Sequence, residues 1–256
     1  MKLPLVSLSL LALAPFPAAA GPTHTALPAA AFLEHCAFVC VDVQEPGPRT
    51  HITDAQMSKE WKGFGFTAAD VNAAVDYAYD VAYPNSRKVA DACRSAGLPM
   101  VFVHWGCLFP DAMDLDPDIR RVFLDQFGID YVKWGNRIGD PASRPAAILG
   151  VRPGEYVLPK SAQDAFRSSN LGFLLTNLGV KNLVFIGGHT GACLGKTAAS
   201  AKKAGYRVLC VEDATFDARE SGRVRCIADT DYDYVVTTAE FEQFIRDHAA
   251  RPTAAK

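Results

Sequence analysis

Residues 182–213 read NLVFIGGHTGACLGKTAASAKKAGYRVLCVED, and their reading decides the fold. Two apolar runs, Asn182 to Gly187 and Tyr206 to Asp213, flank a helical stretch from about Ala192 to Ala204. Short continuous apolar runs without alternation are the mark of parallel strands covered on both faces, and a helix between two of them is the crossover such strands need. Gly205 supplies the left-handed residue that closes the helix.

The same rhythm continues on either side. Upstream, EYVLPK (155–160) is a strand, and Asp164 to Leu178 reads as one helix closed by Gly179. Downstream come a helix from Arg219 to Ala228, the strand YDYVV (232–236) and a last helix from Ala239. Nearer the N-terminus, AFVCVDV (37–43) and PMVFVH (99–104) are strands. Between them run the loop EPGPRTHI (45–52) and a helical pattern N-capped by Thr67, resumed after Pro84 and ended at Gly97. Leu108 to Gly150 is irregular and rich in Pro and Gly, an elaborated loop region rather than a second domain. The expected class is α/β, a three-layer α/β/α fold on a mostly parallel, about six-stranded, Rossmann-like sheet with right-handed crossovers.

Met1 and Lys2 precede the apolar run Leu3 to Phe16 and then Ala18, Ala19 and Ala20. That pattern reads as a signal peptide over residues 1–20, cut after Ala20, with residues 21–256 as one domain. The run is too short to span a bilayer. The expectation is an exported protein, periplasmic or secreted, with no membrane association once the signal is removed. Composition is ordinary for a globular domain, 49% hydrophobic and 21% charged, with a formal net charge of −2. Nothing in that balance invites nucleic acid, and a small-molecule substrate is the expected partner. Seven cysteines make an odd count, so at least one thiol is free. Cys36 and Cys40 lie roughly 13 Å apart along one strand and cannot pair with each other. A disulfide among Cys93, Cys107 and Cys226 is left open.

In a parallel sheet, function gathers beyond the carboxyl ends of the strands. Asp42 ends the first strand, Lys160 ends EYVLPK, and Cys193 lies in the Gly-rich turn before a helix. The helix N-terminus favours a thiolate, although buried core cysteines are common. An acid at the end of an apolar strand is costly to bury without a partner. Taken alone, Lys160 reads as an ordinary surface lysine. Together the three supply a nucleophile, a base and a charge stabiliser.

These residues carry a family resemblance. VDVQ (41–44), a Lys closing a strand ahead of AFRSSNLGFLLTNLGV (165–180), and G-x-x-T-x-x-C followed by A-x-x-x-G-Y-x-V resemble the isochorismatase-like cysteine hydrolases. That group includes nicotinamidases, N-carbamoylsarcosine amidases, ureidoacrylate amidohydrolases and true isochorismatases. The resemblance covers nearly all of residues 21–256, is strongest from Glu155 to Ala214 and is weak from Leu108 to Gly150. It implies a catalytic triad of Asp42, Lys160 and Cys193, and an oxyanion hole from the backbone N–H groups of His189 and Cys193. It also implies a cis peptide between Gly188 and His189, and a homo-oligomer. The implied activity is hydrolysis of a small amide, N-carbamoyl or imide substrate through a thioester, because true isochorismatases lack the cysteine. Nicotinamidases carry a D-x-H metal element after the second strand. PMVFVHWGC (99–107) has none, so no metal and no cofactor are expected. Trp105, His104, Arg49, Trp134 and Phe64 are candidate pocket residues, each with core packing or a solvated surface as the alternative.

Two rival readings remain. GACLG also matches a nucleophile elbow with Cys in place of Ser, which would recruit Asp213 or Asp217 with His248 into an esterase-type triad. Against it, Gly187, Gly188, His189 and Thr190 intervene, whereas an elbow nucleophile comes almost directly off its strand. The other rival is a ligand-binding member of the fold without catalysis.

Overall fold

The computed structural model describes residues 28–46, 49–122, 128 and 137–249. The expected signal peptide and Trp134 lie outside the described residues. Six parallel strands form one sheet: β1 (Cys36–Val41), β2 (Met100–Trp105), β3 (Tyr156–Lys160), β4 (Asn182–Gly188), β5 (Arg207–Phe216) and β6 (Tyr234–Val236). Their order is β3-β2-β1-β4-β5-β6. The chain winds outward in one direction from β1 and in the other from β4, so the crevice between these two is the topological switch point.

Alternation along the central strands feeds two cores. Phe38, Cys40, Phe102, Val184 and Ile186 point to one face. There they meet Val89 and Cys93 of α3 (Tyr83–Ser95) and Phe241 and Ile245 of α9 (Thr238–Ala249). Ala37, Val39, Val41, Val103 and Phe185 point to the other face. They pack on α5 (Ala165–Ser168), α6 (Leu171–Asn177), α7 (Cys193–Lys203) and α8 (Glu220–Asp229) through Ala165, Leu171, Leu194 and Ile227. Each buried Leu, Ile or Phe side chain contributes about 1.5–3 kcal/mol of transfer free energy, so both faces must stay covered.

The helical region before β2 has an internal adjustment. After α1 (Lys59–Gly63), α2 (Ala68–Tyr77) starts on a capping box, Thr67 and Asp70 each accepting the other's backbone N–H. Pro84 has no N–H to give, and the chain accommodates it with one wide turn over Ala78–Ala82. In that turn the Tyr83 N–H reaches back to the Ala78 carbonyl, and α3 follows directly.

Two expected boundaries move. The single helix from Asp164 to Leu178 is in fact α5 and α6, broken at Ser169, whose backbone is extended (φ −145°, ψ 175°). The Ser169 hydroxyl donates to the Ala165 carbonyl (2.7 Å) and accepts from the Leu171 N–H (3.2 Å), replacing helical bonds with side-chain ones. β5 runs three residues past Asp213, to Phe216, after a register shift between Phe185 and Gly187 of β4. In the irregular region the described residues form short turns, α4 (Pro117–Arg120) and two isolated bridges, Pro145 with Gln44 and Arg137 with Cys107.

All seven cysteines are free, six buried and Cys226 partly so, which removes the disulfide left open among Cys93, Cys107 and Cys226.

Candidate active site

Strand register brings the predicted residues together. Val41 pairs with Val103 and with Gly187, while Trp105 pairs with Lys160, so four strand ends lie side by side. Asp42 is the first residue beyond β1. Its N–H donates to the Val103 carbonyl (2.8 Å), and its φ of 53° is in the left-handed region, costing about 1 kcal/mol for a non-glycine residue. The Lys160 side chain is fully buried, and its Nζ sits 2.8 Å from Asp42 Oδ2 and 3.2 Å from the Ala162 carbonyl oxygen. The other Asp42 oxygen, Oδ1, is buried without a hydrogen-bond partner among the described residues. Cys193 opens α7, is 9% exposed, and interacts electrostatically with both members of this pair.

These groups pull on each other's protons. Burial pushes the Cys193 thiol up to about 12; the Asp42 charge adds to the rise, and Lys160 opposes it. Desolvation thus opposes the pull of the helix N-terminus and of Lys160 on the thiol, which makes a base beside the sulfur useful. Burial alone would pull Lys160 down, but Asp42 and Cys193 hold it above the ordinary lysine range.

The turn leading to Cys193 is built by close backbone approach. At Gly187 (φ 112°) a Cβ would lie 1.9 Å from the Val41 carbonyl oxygen, and at Gly188 one would enter the Phe216 ring at 2.3 Å. The Gly188–His189 bond is cis. The N–H groups of Thr190, Gly191, Ala192 and Leu194 all donate hydrogen bonds: Thr190 to the Phe216 carbonyl, Gly191 to Asp217, and Ala192 and Leu194 to the His189 carbonyl. Those of His189 and Cys193 donate none among the described residues. Cys193 opens α7, where the first-turn N–H groups have no intrahelical partner and can receive a ligand oxygen.

The other pocket candidates divide. The Trp105 ring lies under Lys160 Nζ, 5.0 Å from centroid to nitrogen. His104 is buried, its Nδ1 paired with the Ser143 carbonyl oxygen, and burial lowers its pKa, so it is neutral at pH 7. Arg49 is engaged by the protein's own Asp76 and Asp80 rather than held open for a substrate carboxylate. Phe64, just beyond α1, is 47% exposed.

Sequence reasoning missed a clasp. Gln44 accepts from the Trp105 N–H (2.8 Å) and donates to the Trp105 and Ala142 carbonyls (3.0 and 3.1 Å), tying the end of β1 to that of β2. It was visible only as the last letter of VDVQ. Two residues of the elbow reading, Asp213 and His248, are spent elsewhere. Asp213 accepts from the N–H and hydroxyl of Thr238 at the start of α9. His248 belongs to α9, which packs against the face of the sheet opposite α7.

Among the described residues, no group of three or more His, Cys, Asp or Glu is arranged to hold a metal. A separate surface cavity of about 130 Å³ is lined by charged side chains including Asp116, Arg167 and Lys196, with none of the three strand-end residues in its wall. No helix of the described residues is long and apolar enough to cross a membrane.

Comparison with known proteins adds a lineage. The isochorismatase domain model matches residues 65–240, a span holding Lys160 and Cys193 and beginning after Asp42. Ureidoacrylate amidohydrolase RutB of Variovorax paradoxus (strain S110) is 26% identical over 151 residues, 52% of this chain and 55% of that protein. Its counterpart in Rhizobium rhizogenes (strain K84 / ATCC BAA-868) is 33% identical over 149 residues, 51% and 56% of the two chains. The chain thus spans about half the length of the curated relatives it matches. Among solved structures, a cysteine hydrolase from Pseudomonas syringae pv. phaseolicola 1448A superposes with a TM-score of 0.61 at 18% identity, covering 85% of this chain and 94% of that one. N-carbamoylsarcosine amidase from Thermoplasma acidophilum gives 0.53 at 25% identity, covering 79% and 96%.

Proposed function

The chain belongs to the isochorismatase domain family, and from that premise we propose that it is a cysteine amidohydrolase cleaving a C–N bond of a small amide, N-carbamoyl or imide substrate. One observation carries the reading. A buried Lys160–Asp42 pair leaves one carboxylate oxygen without a hydrogen bond among the described residues, and the Cys193 thiol at the start of α7 couples to both members of that pair.

Asp42 takes the thiol proton. The sulfur bonds to the substrate carbonyl carbon, and the carbonyl electron pair moves to oxygen, where the open N–H groups of His189 and Cys193 receive it. Lys160 offsets the charge shared among sulfur, carboxylate and oxyanion. Collapse breaks the C–N bond as Asp42 returns the proton to the departing nitrogen, leaving a thioester. Asp42 then takes a proton from water, the hydroxyl adds to the thioester carbon, and the C–S bond breaks to release the acid and restore the thiol. The named relatives, a ureidoacrylate amidohydrolase and an N-carbamoylsarcosine amidase, support carbamoyl-type substrates as the first class to try.

The test is a panel of primary amides, N-carbamoyl compounds, ureas and cyclic imides assayed for ammonia or acid release. Cys193→Ala and Cys193→Ser should abolish the turnover found while keeping the fold. A folded variant retaining a substantial share of activity excludes the covalent route. A panel with no turnover, together with a thiol inert to alkylation, favours a ligand-binding role.

The leader at residues 1–20 supports export, checked by whether exported material begins at Gly21. Family likeness supports a homo-oligomer, checked by a light-scattering mass at micromolar concentration.

A further inference from the structure

The two open N–H groups belong to a turn whose own polar groups are tied down from outside it, by the residues that end β5. Asp217 follows Phe216, the last residue of that strand. Its Oδ2 accepts from the Thr190 hydroxyl (2.6 Å) and from the Gly191 N–H (2.8 Å). Its Oδ1 accepts from the Ala218 N–H (2.7 Å) and faces His189 Nδ1 at 3.6 Å. The Phe216 carbonyl accepts from the Thr190 N–H (3.3 Å), and the Phe216 ring meets the His189 ring edge-on, 5.5 Å between centroids. Three consecutive turn residues are therefore held by one carboxylate and the residue before it. The side chain is only 16% exposed, so water competes weakly for these contacts. Burial alone would raise the Asp217 carboxyl; the His189, Thr190 and Gly191 contacts outweigh it and bring the carboxyl down to about 2. It is therefore a full negative charge at any working pH.

We propose that Asp217 is a positioning residue for the hydrolytic reaction: it fixes the His189–Gly191 turn so that the His189 and Cys193 N–H groups face the reacting carbonyl oxygen. This rests on the reading of the site given above. Asp217 touches neither the thiol nor its base among the described contacts, so it acts on the receiving end of the reaction. An oxyanion hole works because its donors are fixed before charge develops, and a turn free to rotate loses that advantage.

The experiment separates chemistry that makes an oxyanion from chemistry that does not. Turnover of the best panel amide needs the open N–H groups. Reaction of Cys193 with methyl methanethiosulfonate needs only the sulfur in the electrostatic setting that Asp42 and Lys160 give it. Asp217→Ala should lower kcat on the order of a hundredfold with KM within about threefold, comparable to losing one oxyanion donor. Thr190→Val keeps shape and removes one of the carboxylate's bonds, and should cost about fivefold in kcat on the same scale. In both variants the Cys193 modification rate, followed by peptide mass, should stay within about twofold of the unaltered protein. Parallel loss of turnover and modification would show general damage to the site and overturn the proposal, as would full turnover in Asp217→Ala. If Asp217→Ala does not fold, Thr190→Val decides by the same two readouts. A fully active Cys193→Ala would instead sink the hydrolase reading itself, whatever Asp217 does.

Discussion

Arg223 and Lys160 are two of the cations buried against carboxylates among the described residues, and they are finished differently. Arg223 of α8 uses four of its five N–H donors: on the Glu212 carboxylate (2.9 Å), the Glu212 carbonyl (2.7 Å) and both oxygens of Glu220 (2.8 and 2.7 Å), with its guanidinium over the Tyr77 ring. Lys160 is as well buried, yet its partner Asp42 keeps an oxygen without a hydrogen bond, and a thiol stands where a further partner would be. A buried ion pair is weak support for stability because desolvation cancels most of its attraction. What distinguishes these two is the unused valence. The Arg223 cluster is closed and structural, whereas the Lys160–Asp42 pair keeps a lone pair available for a proton.

The comparison breaks if the two pairs respond alike to mutation. Asp42→Asn should have the largest effect, lowering turnover about a thousandfold by removing the general base. It also removes a charge that raises the Cys193 thiol, so the pH profile of thiol modification should shift to lower pH even as hydrolysis disappears. A profile that stays put or rises would remove Asp42 from the thiol's environment. Lys160→Ala should cost about a hundredfold in kcat/KM, about 3 kcal/mol, and shift the modification profile to higher pH, because Lys160 is the group that lowers the thiol. Arg223→Met should destabilise the fold by about 3 kcal/mol in denaturant unfolding, since Glu212 is left buried without its cation, with turnover per folded molecule within about twofold. Catalytic loss in that variant without loss of stability would erase the distinction. The smallest effect is expected of His248→Ala. Its Nδ1 is buried without a partner among the described residues, so removal should change stability by less than about 0.5 kcal/mol and leave turnover intact. If His248→Ala is inactive while Lys160→Ala is nearly silent, the nucleophile elbow returns.

Much of this is legible in the sequence because strand ends are. An apolar run that stops at Asp42, another that stops at Lys160 and a Gly-rich turn before Cys193 mark three points at the same edge of a parallel sheet. The six strands and their flanking helices follow from the same periodicity. Contacts that depend on register stay hidden. Gln44 is one polar residue in a motif until β1 is laid beside β2 and its amide meets Trp105. Asp217 reads only as a possible acid of the rival elbow triad until the register shift in β4 carries β5 past Asp213 and brings Asp217 to the turn. Ser169 breaks a helix through its own hydroxyl, a competition that apolar periodicity does not register. The sign of the Cys193 shift was hidden as well, because a helix N-terminus is visible in sequence and the extent of burial is not.

Burial pushes all seven thiols upward, with desolvation the first cause in every case. Oxidation and disulfide exchange run through the thiolate, so the measure that matters is how often each sulfur is deprotonated. Cys193 is raised with the others, so its resting thiolate share lies below that of an ordinary thiol. The chain therefore carries an odd number of thiols with little electrochemical exposure. The same dry surroundings that the reaction must overcome with Asp42 act as a preservative for the nucleophile between turnovers.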